Sequence, residues 1–250
     1  MFKFGWKRDL PDARDFKYLL PKLQKFPSVI DLRPSCPDVV HQNNLGSCVG
    51  NSIASCYWFV EKKQNIEVFY PSRLFIYYNA RKREGTIKQD DGVMIRTGMK
   101  TIDKEGVCPE YQWPYIEEKF ATKPTLDCYL HAKDHQVLKY MKIKHTMTNL
   151  KSCLVSGYPF VFGFSIYDSF ESEEVGRTGI VPIPNFSKES LIGGHAVMAV
   201  GYDDSVNSFI VLNSWGKDWG MEGYFLLPYD YMLNKNLAAD LWTIRLVEGK

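Results

Sequence analysis

The chain has 250 residues, 45% of them apolar and 14% aromatic, and its 31 basic and 29 acidic side chains give a net charge of +2. This apolar content is enough to offset the entropy of ordering, so the composition excludes a disordered chain. A near-neutral chain argues against a nucleic-acid partner. No apolar run approaches the roughly 18 residues that span a bilayer, so no membrane partner is expected.

The first 27 residues are charged, contain proline and show little periodicity. We therefore expect residues 1–27 to form an extended arm and residues 28–250 to form the folded body. The N-terminus lacks the apolar segment of a secretory signal, which favours an intracellular, cytoplasmic location. Six cysteines are too few for a disulfide scaffold and include no CxxC pair. We expect no metal and no organic cofactor.

Apolar periodicity changes from helical to strand-like along the body. Helices are predicted at 47–63, 72–83 and 93–104, and strands at 159–166, 195–202, 208–213 and 223–228. Helices followed by strands indicate an α+β protein with two lobes. The helical lobe is expected over about 28–130 and the β lobe over about 131–250, with a cleft between them that is a usual place for a site.

Cys48 stands at the predicted N-terminus of the first helix. Unpaired backbone N–H groups and the positive end of the helix dipole favour an anion there and stabilise a thiolate. A thiolate next to an imidazolium is a nucleophile at neutral pH. His195 begins a strand-like run in the second half of the chain, and we expect it to meet Cys48 across the cleft.

Two amide side chains fit the same chemistry. Asn213 lies 18 residues after His195 and can accept a ring N–H, which would fix the imidazole while Trp215 shields that bond from water. Gln42 can aim its amide N–H at a substrate carbonyl and form an oxyanion hole with the backbone N–H of Cys48. Such donors contribute about 3 kcal/mol each to transition-state stabilisation. A lone cysteine is more often a buried, inert residue, so the combination carries the prediction.

These segments resemble the papain-like cysteine peptidases. The matching segments are Gln42…Gly46-Ser47-Cys48, Gly194-His195-Ala196-Val197 and Asn213-Ser214-Trp215-Gly216. The resemblance covers about residues 28–250, and the arm resembles the short, signal-less branch of the family found in bacteria and some viruses. It implies a two-lobed papain-like fold with a helical lobe and an antiparallel β-barrel-like lobe. It also implies a monomeric cysteine endopeptidase that cleaves peptides or proteins through an acyl-enzyme, packaged in a virion if the source is viral.

The resemblance also indicates which residues bind substrate. They are Gly92, Asp91, Gly194, Trp215 and Asp240. Gly92 has no side chain, so an extended peptide can approach its backbone closely. Asp240 falls near the floor of the family's main specificity pocket, where an acidic group would accept a basic side chain. The alternative for Asp240 is a surface aspartate that caps a turn.

The chain departs from the family pattern in ways that concern regulation. Leu45 replaces one half of a family disulfide, Val49 replaces an aromatic residue, and a long inhibitory pro-domain is missing. The 27-residue arm reaches about 90 Å at most when extended, which is enough to cross a cleft. We therefore expect the arm to cover part of the cleft, as in a zymogen.

Two other functions remain compatible with these residues. A catalytically silent protein of this fold could bind a peptide or a partner, although replacement of the cysteine or histidine would be its signature and neither is replaced. An acyltransferase or ligase could use the same Cys48–His195 pair, because the choice between amine and water depends on how the cleft excludes solvent.

Overall fold

The structure is a computed structural model that describes residues 3–19 and 25–249. Expectations for residues 1–2 and 20–24 of the arm lie outside the described residues. The helices are α1 (Cys48–Gln64), α2 (Arg73–Glu84), α3 (Ile95–Lys104), α4 (Leu126–Ala132), α5 (Met147–Val155), α6 (Glu173–Thr178) and α7 (Tyr229–Leu233). The strands are β1 (Trp6–Lys7), β2 (Val29–Asp31), β3 (Val93–Met94), β4 (Val137–Lys142), β5 (Phe160–Tyr167), β6 (Leu191–Asp203), β7 (Ser208–Leu212), β8 (Tyr224–Pro228) and β9 (Ala238–Val247).

The three predicted helices are present, with ends set by local chemistry. The Ser72 hydroxyl accepts a hydrogen bond from the Phe75 N–H and caps α2, which ends at Gly85 with a φ of 74°. The third helix begins two residues later than predicted, at Ile95, because Val93 and Met94 pair with the arm as β3. Tertiary pairing thus overrides the helical pattern at that end.

The four predicted strands belong to one antiparallel sheet, in the order β4-β9-β5-β6-β7-β8, with β2 paired to β6. The strands β4 and β9 were not predicted. Among the described residues no pairing joins β4 to β8, so the sheet is open and the expected barrel is only a loose description of it. Two hydrophobic cores form, one centred on α1–α3 and one enclosed by the strands. The α+β prediction is therefore confirmed.

The packing of α1 against β6 brings the two halves of the chain together at one point. The N-terminal residue of α1 is Cys48, and His195 lies in β6 opposite Phe164 of β5. Because β7 is antiparallel to β6 and its last residue, Leu212, pairs with Met198, the next residue lies close to His195. That residue is Asn213.

The described part of the arm runs along the body in extended form. Its strand β1 pairs in parallel with β3, and the Val93 N–H donates to the Gly5 carbonyl at 2.9 Å. The backbones approach so closely that a Cβ on Gly5 would lie 1.7 Å from the Gly46 carbonyl oxygen. Only glycine fits this crossing, because backbone atoms on both sides cannot move aside.

Gly5→Ala is therefore expected to displace the arm without unfolding the body. Hydrogen exchange of amides in residues 4–9, followed by mass spectrometry, should become at least about tenfold faster, because exchange reports local opening. Gly176→Ala is the matched control, since its Cβ would meet Trp219 at an ordinary 3.7 Å. Unchanged exchange in Gly5→Ala would contradict the tight crossing.

Candidate active site

The thiol of Cys48 lies at the start of α1 and has no solvent exposure. Backbone N–H groups of Gly5, Val49, Ala196 and Cys48 itself point toward the sulfur. Because Ala196 directly follows His195, this contact sets the thiol beside the histidine. The arm therefore contributes one of the N–H groups around the sulfur through Gly5.

The imidazole of His195 is fixed by an amide. Its Nε2 lies 2.8 Å from Oδ1 of Asn213, and because that oxygen is an acceptor, Nε2–H is the donor. The same Oδ1 accepts the Ser214 N–H at 2.9 Å, which holds the amide in place. Trp215 stacks on the imidazole with ring centroids 5.0 Å apart. The arrangement leaves Nδ1 as the nitrogen with a free lone pair, and it has no hydrogen-bond partner among the described residues.

Gln42 directs its amide N–H into the cleft. Its Nε2 donates to the carbonyl oxygen of Lys3 in the arm at 2.9 Å and to that of Leu45 at 3.0 Å. The Ser214 hydroxyl donates to Oε1 of Gln42 at 2.7 Å, which fixes the orientation of the amide. A peptide carbonyl of the arm thus occupies the position that the sequence assigns to a substrate carbonyl.

Burial controls the protonation of the pair. It raises the pKa of the Cys48 thiol to about 11, although the surrounding N–H groups act in the opposite direction. It also lowers the pKa of His195 to about 4, although the hydrogen bond to Asn213 acts in the opposite direction. With the arm in place, a neutral thiol and a neutral imidazole are therefore favoured over the expected thiolate–imidazolium pair.

The residues expected to bind substrate surround the arm. A Cβ on Gly92 would lie 1.9 Å from the Gly5 carbonyl oxygen, and one on Gly194 would lie 2.8 Å from the Trp6 carbonyl oxygen. Gly92 provides the close approach, whereas the strand-like hydrogen bond to Gly5 comes from the next residue, Val93. Asp91 is exposed and lines a groove beside the arm.

Asp240 is buried in β9, with a φ of 57°, so the alternative of a surface aspartate in a turn is wrong. The Trp6 side chain points at it, and its Nε1–H donates to Oδ2 of Asp240 at 3.1 Å. The indole covers Gly163, where a Cβ would lie 2.0 Å from the ring. A side chain of the arm therefore fills a pocket with an acidic end.

Comparisons with known proteins agree with this geometry. The family profile described as papain family cysteine protease matches residues 26–240. The chain is 44% identical to the peptidase C1-like protein L477 of Acanthamoeba polyphaga mimivirus, over 98% of this chain and 87% of that protein. The crystal structure of xylellain, a cysteine protease from Xylella fastidiosa, superposes with a TM-score of 0.92 at 39% identity, over 97% of this chain and 95% of that one.

The chain belongs to the papain family of cysteine proteases. More distant relatives include cathepsin B-like CP3 of Giardia intestinalis, which is 27% identical over 86% of this chain and 68% of its own length. The procathepsin B S9 of Trypanosoma congolense shares the fold, with a TM-score of 0.77 at 18% identity over 97% of this chain and 86% of that one. Both the predicted family and the predicted papain-like fold are confirmed. Within the described residues, no helix is long and apolar enough to cross a membrane.

Two supporting residues of this papain-family protein were not identified from the sequence. Ser214 orients the Gln42 amide, as described above. The Tyr115 hydroxyl donates to the Gln42 carbonyl at 2.7 Å and lies 2.5 Å from the Ser47 hydroxyl. It therefore contacts both ends of the segment 42–47, which leads to Cys48. The sequence could have indicated both residues by their positions, because Ser214 directly follows Asn213 and Tyr115 ends the segment Trp113-Pro114-Tyr115.

A buried carboxylate pair anchors the arm just beyond Trp6. The Asp9 N–H donates to Oδ2 of Asp240 at 2.7 Å, and the Asp9 carboxylate accepts the Trp242 indole N–H at 2.9 Å and the Arg96 backbone N–H at 3.0 Å. The Arg96 guanidinium lies 3.9 Å from Asp9 and pairs with Asp15 at 2.6 Å. Burial and the neighbouring Asp240 nevertheless raise the pKa of Asp9 to about 6.

This shift predicts how arm docking responds to pH. A raised pKa favours the protonated carboxyl in the docked state, so the contribution of Asp9 is fully present below pH 4 and is lost as the pH rises through about 6. The unfolding free energy, measured in urea, should fall between pH 4 and pH 7 by on the order of 2 kcal/mol more in the wild-type protein than in Asp9→Asn. Asp127→Asn, on an exposed position of α4, is the control. An equal difference at both pH values would contradict the assignment.

Proposed function

We propose that this papain-family protein is a cysteine endopeptidase that acts as a monomer on peptide or protein substrates. Cys48 is the nucleophile, His195 the general base and acid, and Asn213 the residue that orients the imidazole. Gln42 and the Cys48 backbone N–H stabilise the oxyanion. Endopeptidase action is supported by the extended course of residues 3–9, which cross the cleft as a peptide would.

In the proposed reaction, Nδ1 of His195 takes the proton from the Cys48 thiol, and the sulfur forms a bond to the scissile carbonyl carbon. The carbonyl oxygen gains the negative charge and is stabilised by the Gln42 amide and the Cys48 N–H. The imidazolium then gives its proton to the leaving amine, and an acyl-enzyme remains. Water, deprotonated by His195, attacks the acyl carbon. The carbon–sulfur bond then breaks, the carboxylic acid product leaves, and the imidazolium returns its proton to the Cys48 sulfur.

One observation supports this proposal most strongly, the hydrogen bond of 2.9 Å from Gln42 Nε2 to the Lys3 carbonyl. Gln42 is held by Ser214, while Ala196 directs its N–H at the Cys48 sulfur. The amide donor, the thiol and the imidazole thus contact three consecutive residues of the arm, at the Lys3 carbonyl, the Gly5 N–H and the Phe4 ring. Preorganised donors around a carbonyl are the arrangement that acyl transfer requires.

We also propose that the arm restrains this activity. The Trp6 side chain fills the pocket that ends at Asp240, and the Lys3 carbonyl occupies the oxyanion donor. The Phe4 ring lies against His195 and Trp215, with centroids 6.4 and 6.3 Å away. A substrate needs the same positions, so it binds only to the fraction of molecules in which the arm has left the cleft.

We propose an intracellular or virion location. All six cysteines are free thiols, which fits a reducing compartment, and a relative at 44% identity comes from Acanthamoeba polyphaga mimivirus.

The peptidase proposal predicts a single covalent adduct with an epoxysuccinyl-peptide inhibitor. Intact-mass spectrometry should show one adduct that maps to Cys48 and is lost in Cys48→Ala, because only this thiol has the His195 partner. Cys56→Ala, which removes another fully buried thiol of α1, should keep the adduct. If neither the full-length chain nor a chain without the arm forms an adduct, a catalytically silent binding protein becomes the better explanation.

The restraint proposal predicts that deletion of residues 1–20 raises kcat/KM for small peptide substrates by about tenfold or more, because the cleft is then open in every molecule. Trp6→Ala in the full-length chain should give a smaller rise. Leu10→Ala, which changes an arm side chain that is 70% exposed, is the control and should leave the rate unchanged. An unchanged rate in a deletion variant with native circular dichroism would contradict the restraint.

A further inference from the structure

The half-exposed Lys3 side chain of the arm makes an ion pair with the body of the protein. Its Nζ lies 2.5 Å from Oδ2 of Asp90, whose side chain is only 9% exposed. The carbonyl group of the same residue accepts the Gln42 amide N–H. The residue that supplies the carbonyl at the oxyanion donor therefore places its own side chain on Asp90.

Asp90 is held in position by the body of the protein. The Tyr77 hydroxyl donates to Oδ1 at 2.6 Å, and the Gly46 N–H donates to the carboxylate at 3.0 Å. The buried Arg81 interacts electrostatically with Asp90 but donates its hydrogen bonds to the carbonyl groups of Ile87 and Gln89. The carboxylate is thus held so that Oδ2 faces the Lys3 ammonium. Its contact with Gly46, which lies two residues before Cys48, places it close to the proposed nucleophile.

We propose that Asp90 is a specificity-determining residue, which selects lysine or arginine at the substrate residue whose carbonyl is attacked. This inference rests on the proposed peptidase function. A carboxylate that is already held by Tyr77 and Gly46 binds an ammonium or guanidinium group more strongly than a mobile surface carboxylate does, because less side-chain freedom is lost on binding. Exposed Asp91 adds a second negative charge at the cleft rim.

The proposal also explains why the arm carries Lys3 at this position. The lysine presents to Asp90 the same cation that a preferred substrate would present. Arm and substrate therefore compete for one carboxylate, and any change at Asp90 affects both. An experiment must consequently measure a ratio between two substrates, because displacement of the arm alters the rates for both peptides equally and cancels in the ratio.

The test compares two fluorogenic peptides that differ only at the residue before the scissile bond, arginine in one and methionine in the other. In the full-length wild-type chain, kcat/KM should favour the arginine peptide by about tenfold or more. In Asp90→Asn, which keeps an acceptor for Tyr77 and Gly46, the ratio should fall to within about twofold of one. Asp127→Asn, with the same loss of charge on α4, should keep the wild-type ratio.

Each outcome separates this inference from the function on which it rests. Cleavage of both peptides with a wild-type ratio near one, or a ratio that Asp90→Asn leaves unchanged, would overturn the role of Asp90 and leave the peptidase intact. The same assays are repeated in full-length Trp6→Ala, in which the arm is held more weakly, so that covering of the cleft by the arm does not prevent cleavage of the peptides. Absence of cleavage of either peptide in both backgrounds would overturn the peptidase function and the selectivity together.

Discussion

The arm can lie in the cleft because glycine stands wherever the two backbones cross. Gly5 passes between Gly46 and Gly92, and Gly194 leaves room for the Trp6 main chain. A Cβ at Gly5, Gly92 or Gly194 would overlap backbone atoms, which cannot rotate away as a side chain can, and a Cβ at Gly46 would lie in tight contact with the Phe4 carbonyl oxygen at 3.2 Å. The burial of the thiol, the contact with the Gln42 amide and the filling of the acidic pocket all depend on this close approach.

The same burial links arm docking to the chemistry of the site. Desolvation raises the pKa of Cys48 and lowers the pKa of His195, so both changes oppose the charged pair that a nucleophilic thiol needs. When the arm leaves, water reaches both groups and the helix N-terminus again favours a thiolate. We therefore expect the arm to restrain the protein twice, by occupying the substrate position and by keeping the catalytic groups neutral.

The apolar spacing of the sequence predicted those helices and strands whose formation depends on residues close together in the chain. The helix at Cys48 follows from apolar spacing, and β6 and β7 follow from runs of β-branched residues. The strand β9 was not predicted, because most of its side chains are buried and its sequence does not alternate between apolar and polar residues. The contacts of Lys3 with Gln42 and Asp90 join distant parts of the chain, and no spacing rule reveals them.

Asp240 connects the arm to the proposed substrate pocket. In the docked state its Oδ2 accepts both the Trp6 indole N–H and the Asp9 backbone N–H, and both donors belong to the arm. Departure of the arm removes both donors and leaves a buried carboxylate without them, which is costly unless water or another donor replaces them. In the proposed peptidase, the carboxylate that holds the arm in one state is the one that we expect a substrate side chain to meet in the other, so we expect arm affinity and substrate selectivity to change together at this residue.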